Sequence, residues 1–198
     1  MSKKMNIGDF RTPDYTIDEI FINRWSARAM SGESISDEEL MPLFDAARWA
    51  PSAFNAQPWR FIYAHRDTRH WDKLFNVLAD FNKQWVKNAA VLILILSKKI
   101  FDHNGKPSRT HSFDTGAAWV NLALQGTAKG LVVHCMSGFD YEKAYFDLTI
   151  PDEYNVEAMC AVGRPGRPED LPPDMREREK PSGRNDISDF VFEGNIHK

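Results

Sequence analysis

Two stretches hold side chains whose types and spacing could do chemistry. In Arg24-Trp25-Ser26-Ala27-Arg28, an extended backbone with its side-chain period of two puts Arg24, Ser26 and Arg28 on one side. Two guanidinium forks and a hydroxyl then face a common point, which is a grip for a phosphate or a carboxylate. The bland alternative is a pair of solvated arginines flanking a serine. In Pro51-Ser52-Ala53-Phe54-Asn55-Ala56-Gln57-Pro58-Trp59, two prolines stiffen a loop that carries a hydroxyl and two amides. Such a loop can read the polar edge of a heterocycle while Phe54 or Trp59 covers a face. It can equally be an ordinary turn whose Asn55 and Gln57 bond their own backbone.

The familiar self-sufficient constellations are missing from the sequence. There is no GxGxxG, and Gly105-Lys106-Pro107-Ser108 lacks the upstream glycine of a phosphate-cradling loop and has a proline in the way. His134 and Cys135 are neighbours, but consecutive strand residues point to opposite faces, so they make no base and nucleophile pair. The six histidines form no HExxH and no i,i+4 pair, so no zinc set is expected. Gly-x-Ser-x-Gly is absent as well. The chemistry is therefore expected from a bound group, positioned by the protein.

The elements that must do the positioning alternate between helix-like and strand-like pieces. Thr16 with Glu19, and Ser36 with Glu39, fit capping boxes and predict two helix starts. The second helix carries Leu40, Leu43, Phe44 and Ala47 at helical spacing and stops before Pro51. A strand is predicted at Trp59 to Ala64, then a helix with the stripe Trp71, Leu74, Phe75, Leu78 and Phe81. The aliphatic run Val91 to Leu96 fits a strand covered on both faces. Asp114 to Lys129 is apolar nearly all round and rich in small residues, which predicts a closely packed buried helix stopped by Gly130. Strands at Leu131 to Met136 and Val156 to Val162 flank a short helix near Tyr141 to Leu148. Four strands and five helices without a regular βαβ rhythm make an α+β, or mixed α/β, fold.

Composition sets the wider bounds. With 198 residues, 42% of them apolar and 27% charged, one conventional core is expected and disorder of most of the chain is excluded. The net charge of −3, from 25 Lys plus Arg against 28 Asp plus Glu, argues against nucleic acid as a partner. The longest apolar run is far short of the roughly 20 residues that cross a bilayer, so no membrane association and a cytoplasmic location are expected. Cys135 and Cys160 lie in apolar stretches without CxxC spacing and read as reduced, buried thiols. Trp49, Trp71 and Trp119 read as core residues. The chain divides into an N-terminal arm (1–15), a main domain (16–163) and a polar extension (164–198). That extension is too polar to build a core, and it recovers a strand-like end at Ile187 to Phe192. The polar segment Lys98 to His111 reads as a surface loop or a lid.

Arg24-x-Ser26-x-Arg28, the Pro51 to Trp59 loop, Gly130-Leu131 through His134, Met136 and Gly138-Phe139-Asp140, and the tail Pro181-Ser182-Gly183-Arg184 leading to Asp189-Phe190-Val191-Phe192-Glu193-Gly194 resemble the FMN-dependent nitroreductase family. They occur in register from about residue 17 to 194. The resemblance implies a central, mostly antiparallel sheet flanked by helices, and a homodimer whose C-terminal extension is swapped onto the partner subunit. It implies FMN at the subunit interface, with Arg24, Ser26, Arg28 and Arg184 on the 5′-phosphate and Trp25 and Ser182 beside them. The loop Pro51, Ser52, Ala53, Phe54 and Asn55 would come from the other chain, with Gln57 close behind. Asn82, near the end of its helix, would offer its amide to the flavin; Met136 would pack at the ring, and Ser137 and Gly138 would present backbone N–H groups. Where several relatives carry a lysine three residues after that amide, this chain has Trp85, which supplies no charge. The implied activity is ping-pong reduction of a small-molecule oxidant, such as a nitroaromatic or a quinone, by NADH or NADPH. A flavin-binding carrier or sensor without turnover is the alternative.

Overall fold

The computed structural model describes residues 7–196, so the first six residues of the arm and the last two of the tail lie outside the described part. Four strands, β1 (Trp59–His65), β2 (Val91–Lys98), β3 (Val132–Met136) and β4 (Tyr154–Gly163), form one sheet in the order β1-β2-β4-β3. All three pairings are antiparallel. Around it lie α1 (Glu19–Asn23), α2 (Asp37–Arg48), α3 (Trp71–Phe75), α4 (Asp80–Val86), α5 (His111–Ala128), α6 (Tyr141–Asp147) and α7 (Pro173–Arg176). The expected α+β class is therefore observed, with a wholly antiparallel sheet.

The aliphatic run of β2 explains the layering. Leu92, Leu94 and Leu96 enter one core with Trp71, Leu74, Trp85 and Met159. Val91, Ile93 and Ile95 enter a second core with Leu40, Leu43, Leu122 and Ala123 from α2 and α5. Each core is a stripe of period two on one side of the sheet. The small residues of α5 have the expected use: a Cβ on Gly126 would stand 2.4 Å from Val133 Cγ2. After α5, Gly130 takes φ +72°. Its N–H bonds the Thr127 carbonyl at 2.9 Å, and the Leu131 N–H bonds the Gly126 carbonyl at 2.8 Å, the two bonds of a Schellman stop.

Several expectations need correction. The box at Ser36 and Glu39 forms, with the Glu39 carboxylate accepting the Ser36 N–H at 3.1 Å. The one at Thr16 does not; α1 starts later, where Asp18 accepts the Ile20 N–H at 2.9 Å. The helix predicted to run from Trp71 past Leu78 breaks into α3 and α4. Between them the chain leaves the helix to bond residues 138–140: the Ala79 N–H reaches the Gly138 carbonyl (3.1 Å) and the Asp140 N–H the Val77 carbonyl (2.8 Å). Asn82 consequently lies near the start of α4, not near a helix end. Trp49 is not core; it caps α2 beyond the buried stripe, 74% exposed, with the Arg48 guanidinium 5.3 Å over its ring. Trp71 is buried, and Trp119 packs against the second core.

The extension also departs from the reading. Leu171 and Met175 are buried in the first core of their own chain, so the polar run from 164 to 181 does build a core through its few apolar residues. The predicted strand at Ile187 to Phe192 is a short 3-10 turn, Ile187–Asp189. Asp186, Ser188 and Asp189 favour such local turning. Among the described residues no helix is long and apolar enough to cross a membrane.

Candidate functional site

The segment after α1 is half-buried at Arg24, Trp25, Ser26 and Arg28, and Trp25 packs on the first core. Arg24 Nη1 reaches Ser26 Oγ at 3.5 Å. Two further guanidiniums meet it there. Arg184, in the tail, depresses the pKa of Arg24, after burial has done so first. The pKa of Arg11 is lowered by burial, then by Arg184 and Arg24. Three like charges thus crowd one place, an arrangement that an anionic ligand would relieve.

Two residues that hold this arrangement carried no signal in the sequence. Arg11 donates from Nη1 to the carbonyls of Ile22 and Arg24, both at 2.8 Å, and from Nε to the Ser182 carbonyl at 2.9 Å. It ties the arm, the segment after α1 and the tail together. Glu179 is buried, and its Oε1 accepts the N–H groups of Arg28 (2.6 Å) and Ala29 (2.8 Å). It sits in a run of alternating charges that looks like solvated surface. Ser182 Oγ accepts from Arg184 Nη1 at 3.1 Å.

A second group lies beside the first. Gly138 follows β3, exposed, and a Cβ there would come 2.5 Å from Asn82 Nδ2. That Nδ2 donates to the Gly138 carbonyl at 2.9 Å, while Asn82 Oδ1 accepts the Trp85 indole N–H at 3.1 Å. Trp85 therefore fixes the amide in place of contributing charge. Its ring lies 4.5 Å from that of His134, whose Nδ1 donates to the Ala27 carbonyl at 2.8 Å. Burial above all, with Arg28 and Arg24 adding repulsion, pushes the His134 pKa down to about 4. The ring is neutral, with its proton on Nδ1. Met136 is buried in the first core, and Ser137 is exposed.

The Pro51 to Gln57 loop is built against other partners. The Asp114 carboxylate at the start of α5 accepts the Ala53 N–H at 3.0 Å and the Thr110 hydroxyl at 3.1 Å. Phe54, 84% exposed, meets Phe101 edge-on with ring centroids 5.7 Å apart. Phe54, Asn55 and Gln57 all adopt left-handed backbone, at φ +54°, +54° and +48°, a costly conformation for Phe and Gln. Ser52 Oγ accepts the Gln57 N–H at 3.0 Å, and Gln57 Nε2 donates to the Asn55 carbonyl at 3.1 Å. Gln57 thus serves its own turn, as the bland reading had it. The segment from Lys98 to His111 is a hairpin, closed by the bridge between Ile100 and Pro107.

An antiparallel four-stranded sheet flanked by helices has known counterparts. The profile of the nitroreductase family matches residues 22–164. A solved structure described as an oxidoreductase containing FMN superposes with a TM-score of 0.91 at 43% identity, covering 94% of this chain and 96% of that one. A nitroreductase family protein of Clostridium difficile 630 superposes with a TM-score of 0.70 at 22% identity, over 92% of this chain and 100% of its own. A Rhodopseudomonas palustris (strain TIE-1) protein provisionally named NADH dehydrogenase/NAD(P)H nitroreductase is 25% identical over 170 residues, 76% of this chain and 86% of its own length. The chain belongs to the nitroreductase family.

Proposed function

We propose that this chain is an FMN-dependent oxidoreductase that works as a homodimer, takes electrons from NADH or NADPH and passes them to a nitroaromatic, a quinone or a similar small acceptor. The observation that carries this reading is the convergence of Arg11, Arg24 and Arg184, brought together by the bonds of Arg11 to the Arg24 and Ser182 carbonyls, on one place where an anionic group such as a phosphate would relieve their repulsion. Arg24, Ser26, Arg28 and Arg184 would grip the 5′-phosphate, with Ser182 orienting Arg184 and Arg11 bracing the segment behind them. Asn82, fixed by Trp85, would present its remaining amide capacity to the flavin, and Gly138 would allow close backbone approach. Met136 would pack at the ring.

The flavin, when bound, supplies hydride acceptance and return at its N5. The protein's share is orientation and field. The Pro51 to Asn55 loop of a second copy would line the slot, held in shape by Asp114 and by its own Ser52 and Gln57 bonds. The nicotinamide donor and the oxidant would occupy that slot in turn, which is a ping-pong order. Anaerobic titration of the purified, FMN-loaded protein with each nicotinamide, followed by a quinone, tests the proposal. Bleaching of the visible bands by a nicotinamide, their return with the quinone, and parallel double-reciprocal plots are expected. A protein that takes up no FMN overturns the reading, and one that binds FMN without turnover is the carrier instead.

A further inference from the structure

Cys135 on β3 and Cys160 on β4 stand directly opposite one another. Neighbouring hydrogen bonds fix which kind of pair this is. At the end of β2 the Lys98 N–H donates to the Pro58 carbonyl, on the β1 side, and the Lys99 N–H donates to the Glu153 carbonyl, on the β4 side, both at 2.8 Å. Backbone groups alternate along a strand, and β2 keeps an unbroken register with β1, the one irregularity against β4 being the extra residue Glu157 in β4, so the odd-numbered residues of β2 bond β4. Ile93, which pairs with Cys160, is one of them. The Val162 carbonyl, two residues beyond Cys160, turns the same way and accepts the Ala90 N–H at 2.9 Å. The backbone of Cys160 is therefore committed to β2 and points away from β3.

It follows that Cys135 and Cys160 form a non-hydrogen-bonded antiparallel pair, the type whose Cα atoms are about 4.5 Å apart and whose side chains are closest. That separation lies within the range a disulfide spans without backbone movement. Both side chains face the second core, Cys160 fully buried and Cys135 half-buried at its margin. β3 is an edge strand, which leaves Cys135 as the member of the pair that solvent reaches.

We propose that Cys135 and Cys160 are a peroxide-oxidisable dithiol that closes to a cross-strand disulfide, with Cys135 meeting the oxidant and Cys160 resolving it. The Cys135 thiolate attacks hydrogen peroxide, the O–O bond breaks, and a Cys135 sulfenic acid and hydroxide result. The Cys160 sulfur then displaces the hydroxyl, the thiol proton leaves with it as water, and the S–S bond forms. Two thiols lose two electrons and one peroxide gains them. The asymmetry suits these roles: contact with Cys160 lowers the Cys135 pKa against the opposing effect of burial, while the same contact and burial raise that of Cys160. The buried Trp119 indole N–H, which has no hydrogen-bond partner among the described residues, lies near enough to Cys160 to favour its thiolate. No bound flavin is required, so this inference and the proposed function stand or fall separately.

The experiment treats the folded full-length protein with hydrogen peroxide, alkylates it after denaturation and maps the peptides by mass. Loss of about 2 Da, a peptide pair joined through Cys135 and Cys160, and reversal by dithiothreitol are expected. In Cys160→Ser, dimedone should capture a sulfenic acid on Cys135; in Cys135→Ser, Cys160 should stay reduced. If either variant fails to fold, the wild-type map alone decides. The proposal is overturned if Cys135 advances to sulfinic acid while Cys160 stays free, if the disulfide joins two chains, or if both thiols remain alkylatable after methionines of the same sample have been oxidised.

Discussion

Arg24 and His134 lie in the same neighbourhood, and the Arg24 charge is one of those that act on His134. Arg24 sits among like charges, so its removal should relax the flavin-free protein while taking one charge-assisted contact from the proposed phosphate ligand. Arg24→Ala should raise the Kd for FMN by roughly thirtyfold, about 2 kcal/mol, without lowering the melting temperature of the flavin-free protein; equilibrium dialysis and calorimetry read the two. His134 is held neutral. Its folded pKa of about 4 lies below the 6.5 of an unperturbed histidine, so between those values the unfolded chain binds the extra proton. Stability is therefore full above about pH 6.5 and falls as the pH drops toward 4, by about 2 kcal/mol between pH 7.5 and pH 5 from this residue. His134→Asn keeps a donor for the Ala27 carbonyl and removes the titration. Urea unfolding at the two pH values should show a smaller loss in the variant than in the wild type, and equal losses would refute this assignment.

At the scale of elements, the contact between α5 and β3 is the most exacting. The missing side chain of Gly126 is matched to Val133, a β-branched residue with little rotamer freedom. Gly126→Ala should destabilise the fold by about 1–3 kcal/mol through overpacking, seen as a lower urea midpoint at unchanged slope. This close approach was legible in the sequence, because a helix studded with small residues has few other uses. The two-sided strand β2 was legible for a similar reason. What escaped was decided by distant partners. Nothing between Trp71 and Phe81 announces that the chain must leave the helix at Ala79 to reach Gly138. The Pro51 to Gln57 loop was recognisable as special, yet its anchor, Asp114, lies 61 positions beyond Ala53, and Glu179 lies 151 beyond Arg28. Both are carboxylates whose role depends on which backbone N–H groups the fold brings to them. The facing of Cys135 and Cys160 likewise needed the register of two strands that the sequence separates by a helix.

For the molecule as a whole, the tail changes character near Pro181. Up to that residue it is bound into the body of its own chain by Leu171, Met175 and Glu179. From 182 to 196 the chain is exposed, with Phe190 at 62% and Val191 at 59%, and apolar residues that open to water are what an interface between copies would cover. Arg11 links the two regimes through its bond to the Ser182 carbonyl. Removal of residues 181–198 takes Arg184 from the proposed phosphate grip and the apolar end from any second subunit, while leaving both cores closed. The truncated chain should keep its circular dichroism spectrum and lose both dimerisation, by sedimentation, and flavin retention on gel filtration. Removal of only 185–198 spares Arg184, so it should weaken dimerisation more than phosphate binding. If instead the longer deletion remains a fully loaded dimer, the extension does not cross between subunits, and the swapped arrangement must be abandoned even though the site on each chain stands.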